Sequence, residues 1–146
     1  MEVRLATLIG AIFLSSCAAV PPPEPAPYLA SYRPLTPRPG ELIAYPTAAL
    51  DGRLEVVGGC FVVVSDGGAP TLVAFPPRVG VVKAEGRWGL RDAKGRRRVL
   101  QGERIGVGGS SHATPERFIT DRFTSPPPPP ACPKALFISN FGFETP

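Results

Sequence analysis

The chain carries a single histidine, a single methionine and a single tryptophan, and only 19% of its residues are charged. With His112 as the only imidazole, a zinc site of the usual His/Cys spacing cannot be assembled. Catalysis by a histidine base would rest on that one residue. Ser110 and Ser111 precede His112, but no G-x-S-x-G context surrounds them and no third group is placed to orient the base. A Cys60–His112 thiol dyad lacks the same supports. His112 therefore reads as a polar loop residue. Gly106-Val-Gly-Gly-Ser-Ser111 lacks the G-K-[ST] ending of a phosphate loop and reads as a strand with a bulge or a tight exit turn. No catalytic residue, metal site or cofactor is assigned, and the chain is expected not to be an enzyme.

The sequence is rich in proline and glycine, with 20 and 16 of them in 146 residues. The two are segregated. Prolines crowd into residues 21–39 and again into Pro126–Pro130, whereas glycines fill residues 50–110. This distribution excludes a helical bundle, and the length allows one domain beyond any targeting or linker segment. Long apolar runs are also missing, with one exception at the N-terminus. Leu5–Leu14 is ten residues long (LATLIGAIFL), or ~15 Å as a helix. That is too short to span a bilayer core, and it fits the apolar region of a signal peptide.

Leu14-Ser15-Ser16-Cys17 follows directly. All four positions match the lipobox pattern of leucine, a small residue, Gly/Ala/Ser and cysteine, and the segment resembles the signal sequence of bacterial lipoproteins. The resemblance covers residues 1–17 only. It implies diacylglyceryl transfer to the Cys17 thiol, cleavage between Ser16 and Cys17, and acylation of the new amino group. Each buried methylene contributes ~0.8 kcal/mol, so two or three acyl chains hold where a single chain holds only marginally. Ala18 stands where an aspartate is associated with inner-membrane retention in enterobacterial lipoproteins. The resemblance thus implies the periplasmic face of the outer membrane, with the inner membrane as the alternative.

The remaining chain divides by composition. Residues 17–40 form the lipidated cysteine and a Pro-rich tether, expected to sample polyproline II, with a reach of ~70 Å if fully extended. Residues 41–110 show short apolar runs between Gly/Asp turns: Leu54–Val57, Cys60–Val64, Thr71–Phe75, Val79–Lys83, Arg87–Arg91, Arg97–Gln101 and Arg104–Val107. Six or seven β-rich strands of this length predict an all-β domain, a small β-barrel or roll of OB- or SH3-like size. Trp88 alternates in phase with Leu90 and reads as a core residue. Residues 111–130 read as a loop. In residues 131–146, Ala135–Phe141 is expected to be a strand docked on the barrel, since burying Leu136, Phe137, Ile138 and Phe141 contributes ~1.5–3 kcal/mol per side chain.

Two cysteines remain beside Cys17. In an oxidising periplasm Cys60 and Cys132 are expected to form a disulfide, the alternative being two separate thiols. Lys94, Arg96, Arg97 and Arg98 form the densest positive cluster of a chain with net charge +4. They are candidates for binding an anion of the envelope, such as a lipid headgroup or a peptidoglycan carboxylate. The competing reading is a solvated hairpin turn. Nucleic acid is not an expected partner of an exported chain. The expected partners are the membrane, through acyl chains on Cys17, and another envelope protein or peptidoglycan.

Overall fold

The computed structural model describes residues 24–34, 36, 38–42, 48–112 and 123–145. The expected signal peptide, Cys17 and residues 113–122 lie outside the described residues. Nine strands and no helix occur among the described residues: β1 (Ala30–Ser31), β2 (Ala48–Val57), β3 (Cys60–Val64), β4 (Pro70–Phe75), β5 (Val79–Ala84), β6 (Arg87–Asp92), β7 (Arg98–Leu100), β8 (Arg104–His112) and β9 (Leu136–Ser139).

Five of these strands close on themselves in the order β4–β3–β2–β8–β9–β4. Four of the pairings are antiparallel, and β4 runs parallel to β9 with Leu72 opposite Leu136. Numbered along the chain, the barrel strands follow one another as 1-2-3-5-4-1, the Greek-key order of the OB barrel. Closure removes the exposed edges that an open sheet of this length would present. Strand β2 serves both neighbours. Its first half pairs with β8 and its second half with β3, the exchange occurring at Arg53. Gly52 permits this, since a Cβ there would overlap the Val64 carbonyl.

The strands β5, β6 and β7 form a separate three-stranded sheet inserted between the third and fourth barrel strands. Its Val79, Leu90 and Val99 belong to the same apolar core as Leu54, Phe61, Val63, Val73, Phe75, Ile105, Val107, Phe137 and Phe143. Trp88 packs against this core as expected, with the Lys83 ammonium 4.7 Å above its ring. The period of two along β3, β4 and β9 sends Phe61, Val73, Phe75 and Phe137 inward. Their neighbours Cys60, Leu72, Ala74 and Leu136 point to the other side and form a second buried cluster.

That second cluster is covered by chain segments read from the sequence as tether and loop. Within the expected tether, Tyr28–Tyr32 is free of proline and docks on the barrel. The Tyr28 amide donates to the Gly59 carbonyl, and Phe61 donates back to Tyr28. Ala30 and Ser31 pair in parallel with Ala74 and Phe75. Ala30 and Tyr32 are buried. The Tyr32 hydroxyl donates to the Ser139 carbonyl. From the loop side, Thr124 donates its amide to the Ser31 carbonyl, and Phe123 packs on the same cluster. A Cys60–Cys132 disulfide joins the first residue of β3 to the segment entering β9.

Two further expectations are corrected. His112 is not a loop residue, because its backbone ends β8 opposite Leu136. Phe141 is not buried with its neighbours and is 67% exposed. The strand stops at Ser139, whose hydroxyl accepts from the Gly142 amide and donates to the Gly142 carbonyl. Gly142 has φ of +102°, a conformation that favours glycine. This turn leaves Phe141 at its tip and delivers Phe143 to the core in its place.

Candidate anion-binding cleft

The basic run lies at the β6–β7 hairpin, and the loop is organised by Asp92. The Asp92 carboxylate accepts from the amides of Arg96 and Arg97 at 2.9 and 3.3 Å. Its backbone bonds to Gly95 and Arg97 close the turn. With Oδ1 accepting from both amides, Asp92 shapes the loop while the basic side chains project from an exposed segment.

Four residues consecutive or nearly so in sequence then take different directions. Arg98 pairs with Glu85 at 3.1 Å, within a string of surface ion pairs that continues through Arg87 to Glu103. Such exposed pairs are worth little individually, but this one turns Arg98 towards Glu85, and Arg98 does not line the cleft that Lys94 and Arg97 share. Arg96 is exposed at the loop. Lys94 and Arg97 line a cleft of about 260 Å³ between the hairpin loop and the Ser139–Phe143 turn.

Two residues outside the basic run complete that cleft, Arg78 and Phe141. Arg78 donates to the Phe141 carbonyl, and Arg97 donates to the Phe143 carbonyl at 3.3 Å. Two guanidinium groups therefore grip the same turn, and each retains further N–H donors, since a guanidinium carries five. An adjoining recess is lined by Arg78, Arg91 and Lys94. The cations Arg78, Lys94, Arg97 and Arg91 face a single acid, Asp92, across these two recesses. On the other side of Arg97 the surface changes sign, with Asp51 and Glu144 lining an adjoining cleft that shares Arg97, Phe141, Gly142 and Phe143 with the first.

Sequence reading found Lys94 and Arg97 but not Arg78 or Phe141. Arg78 precedes β5 and Phe141 follows β9, so only the tertiary fold makes them neighbours of the hairpin. No cluster of three or more His, Cys, Asp or Glu side chains suited to a metal occurs among the described residues. The outer face of the second and third barrel strands, which OB barrels use for oligonucleotides and oligosaccharides, is covered here by the chain's own residues 28–32, 123 and 132. No protein-family model matches the chain, and no curated protein or solved structure matches it.

Proposed function

We propose that the protein is a lipid-anchored component of a bacterial cell envelope, with a non-enzymatic, structural or interaction role. The observation that carries this reading is Leu14-Ser15-Ser16-Cys17 placed directly after the apolar run Leu5–Leu14. Acyl chains on Cys17 hold the barrel at the periplasmic face of the outer membrane, with the inner membrane as the alternative. The Cys60–Cys132 bridge supports an oxidising compartment.

Docking of Tyr28 on Gly59 alters the geometry of the anchor. Polyproline II from Cys17 to Tyr28, the conformation expected from the sequence, would reach ~35 Å, half the ~70 Å expected of the whole tether. A barrel held on that leash works close to the leaflet. Its partners are components within that distance: the membrane itself, another envelope protein, or peptidoglycan lying near the bilayer.

A second reading, favoured by the convergence of Arg78, Lys94 and Arg97 on one cleft, is a binding module for an anionic envelope glycan or lipid. Screening separates it from recognition of a protein partner. Retention on an anionic surface through these side chains falls steeply between low and high salt, whereas capture of a single envelope protein through an apolar contact does not.

Fractionation of cells producing wild-type and Cys17→Ser proteins tests the anchoring reading. The wild-type chain is expected in the membrane pellet, resistant to salt and carbonate washing and released by detergent. Cys17→Ser is expected to leave the pellet. Equal distribution of the two proteins contradicts the reading.

A further inference from the structure

We infer that Pro126–Pro130 is a displayed polyproline II ridge that docks in an aromatic-walled groove of another envelope protein. The inference deepens the interaction reading above and rests on it. Its starting point is a period of three. Ser125 and Pro128 are half-buried, whereas Pro126, Pro127, Pro129 and Pro130 are exposed. A polyproline II helix has three residues per turn, so positions 125 and 128 share one edge, and that edge is turned to the barrel. The edge with Pro126 and Pro129 faces water, as does the edge with Pro127 and Pro130. The conformation follows from the chemistry of the run. Each ring fixes its own φ, and each proline from 126 to 129 is held extended by the proline after it.

Both ends of the ridge are fastened. At its start the Tyr28 hydroxyl donates to the Pro126 carbonyl at 2.7 Å and lies 3.1 Å from the Ser125 hydroxyl. The Ser31 amide donates to that same serine hydroxyl at 3.0 Å. At the far end the Cys132 amide donates to the Pro129 carbonyl. This closes a turn with Pro130 in its second position, where proline is favoured, and Cys132 is bridged to Cys60. The run therefore lies along the barrel surface and does not swing as a linker. A partner meets a backbone that is already ordered, which lowers the entropic cost of binding. Among the described residues, the carbonyls of Pro127 and Pro130 accept no hydrogen bond and are open to a partner's donors.

Such a surface selects its partner by shape. Prolines donate no backbone hydrogen bond, so the ridge cannot add a strand to a sheet edge. It offers two ring-lined edges, each spanning roughly 9 Å, or three steps of ~3.1 Å. Flat aromatic side chains set as ribs fit the spaces between the rings, and grooves of this kind recognise polyproline II segments. A tyrosine hydroxyl or tryptophan N–H at the end of a rib can reach the open carbonyls. Lys134 is exposed shortly beyond the ridge and sets a positive charge at one end, which matches an acidic side chain at the rim of the groove. A bilayer surface presents no such ribs.

The test uses the full chain made in its native cells with the photoprobe p-benzoylphenylalanine in place of Thr124, an exposed residue beside the ridge. Irradiation is expected to give one discrete protein adduct, mapped to a partner peptide that holds a tyrosine or tryptophan near an aspartate or glutamate. Pro127→Ala/Pro129→Ala removes one ring from each exposed edge, while the prolines that follow keep both alanines extended. It is expected to lower the adduct yield at least fivefold. Pro128→Ala alters only the inward edge and is expected to change the yield less than twofold. Deca-L-proline added to permeabilised cells is expected to compete the adduct away. A non-reducing digest checks that the Cys60–Cys132 peptide pair persists in every variant. An undiminished adduct in the double variant, one that resists deca-L-proline, or one mapped to a segment without aromatic residues overturns the inference. The same photoprobe in place of Arg96 separates the wider reading. Adducts from position 96 alone overturn the ridge and leave an interaction role standing, whereas no adduct from either position removes both.

Discussion

The Tyr32 hydroxyl donates to the Ser139 carbonyl across a separation of 107 residues, and the bond is buried. It ties the segment that follows the proposed membrane anchor to the strand that closes the barrel. Removing the hydroxyl while keeping the ring isolates its worth. Tyr32→Phe is expected to lower stability by ~1–3 kcal/mol, the cost of leaving a buried acceptor without its partner. Tyr32→Ala adds a cavity and should cost ~3 kcal/mol or more. Urea denaturation followed by tryptophan fluorescence measures both.

The Cys60–Cys132 bridge spans 72 positions and pins the approach to β9. A loop of that length corresponds to ~4 kcal/mol in the chain-entropy model. The double variant Cys60→Ser/Cys132→Ser should therefore unfold at markedly lower urea concentration than the oxidised protein. A non-reducing digest should yield one linked peptide pair containing both cysteines. Two freely alkylatable thiols in the native protein contradict the bridge.

Alkaline pH should loosen the N-terminal docking. Burial pushes the Tyr28 phenol above its ordinary value of 10.0, an effect partly offset by the hydrogen bond with Ser125. The neutral phenol is favoured in the folded state, where it also donates to the Pro126 carbonyl at 2.7 Å. Above pH 10 the unfolded chain binds fewer protons at this site than the folded one, so stability falls as pH rises. The contribution is complete below pH 10 and is lost as pH passes through the raised folded value. Between pH 9 and 11, the urea midpoint of the wild-type protein should fall further than that of Tyr28→Phe.

Much of the fold was legible because it obeys local rules. Apolar runs with β-branched residues, broken by Gly/Asp turns, located β3 to β8 within a few residues, and Leu136–Ser139 emerged as a strand from its hydrophobicity. The cysteine pair followed from compartment chemistry. What the sequence could not convey was non-local. The parallel pairing of β4 with β9 joins segments on either side of an inserted sheet, and no local pattern encodes it. The docked Tyr28–Tyr32 segment was hidden by its proline-rich surroundings, although the five residues themselves contain no proline. The candidate cleft was half legible. Lys94 and Arg97 stood out as charge density, but Arg98 turned to Glu85, while Arg78 and Phe141 arrived from distant strands. Phe141 misled because hydrophobicity alone says that a residue favours burial and not whether a turn removes it from the core.

Anchoring through Cys17 is the claim on which location and reach depend, and the intact mass of the protein purified from membranes tests it most directly. The account predicts a polypeptide beginning at Cys17, heavier than residues 17–146 by a diacylglyceryl group and, where the amino group is acylated, one further acyl chain. It also predicts that the added mass resides on the N-terminal peptide. A chain that retains Met1, or one that begins elsewhere and carries no lipid, contradicts it.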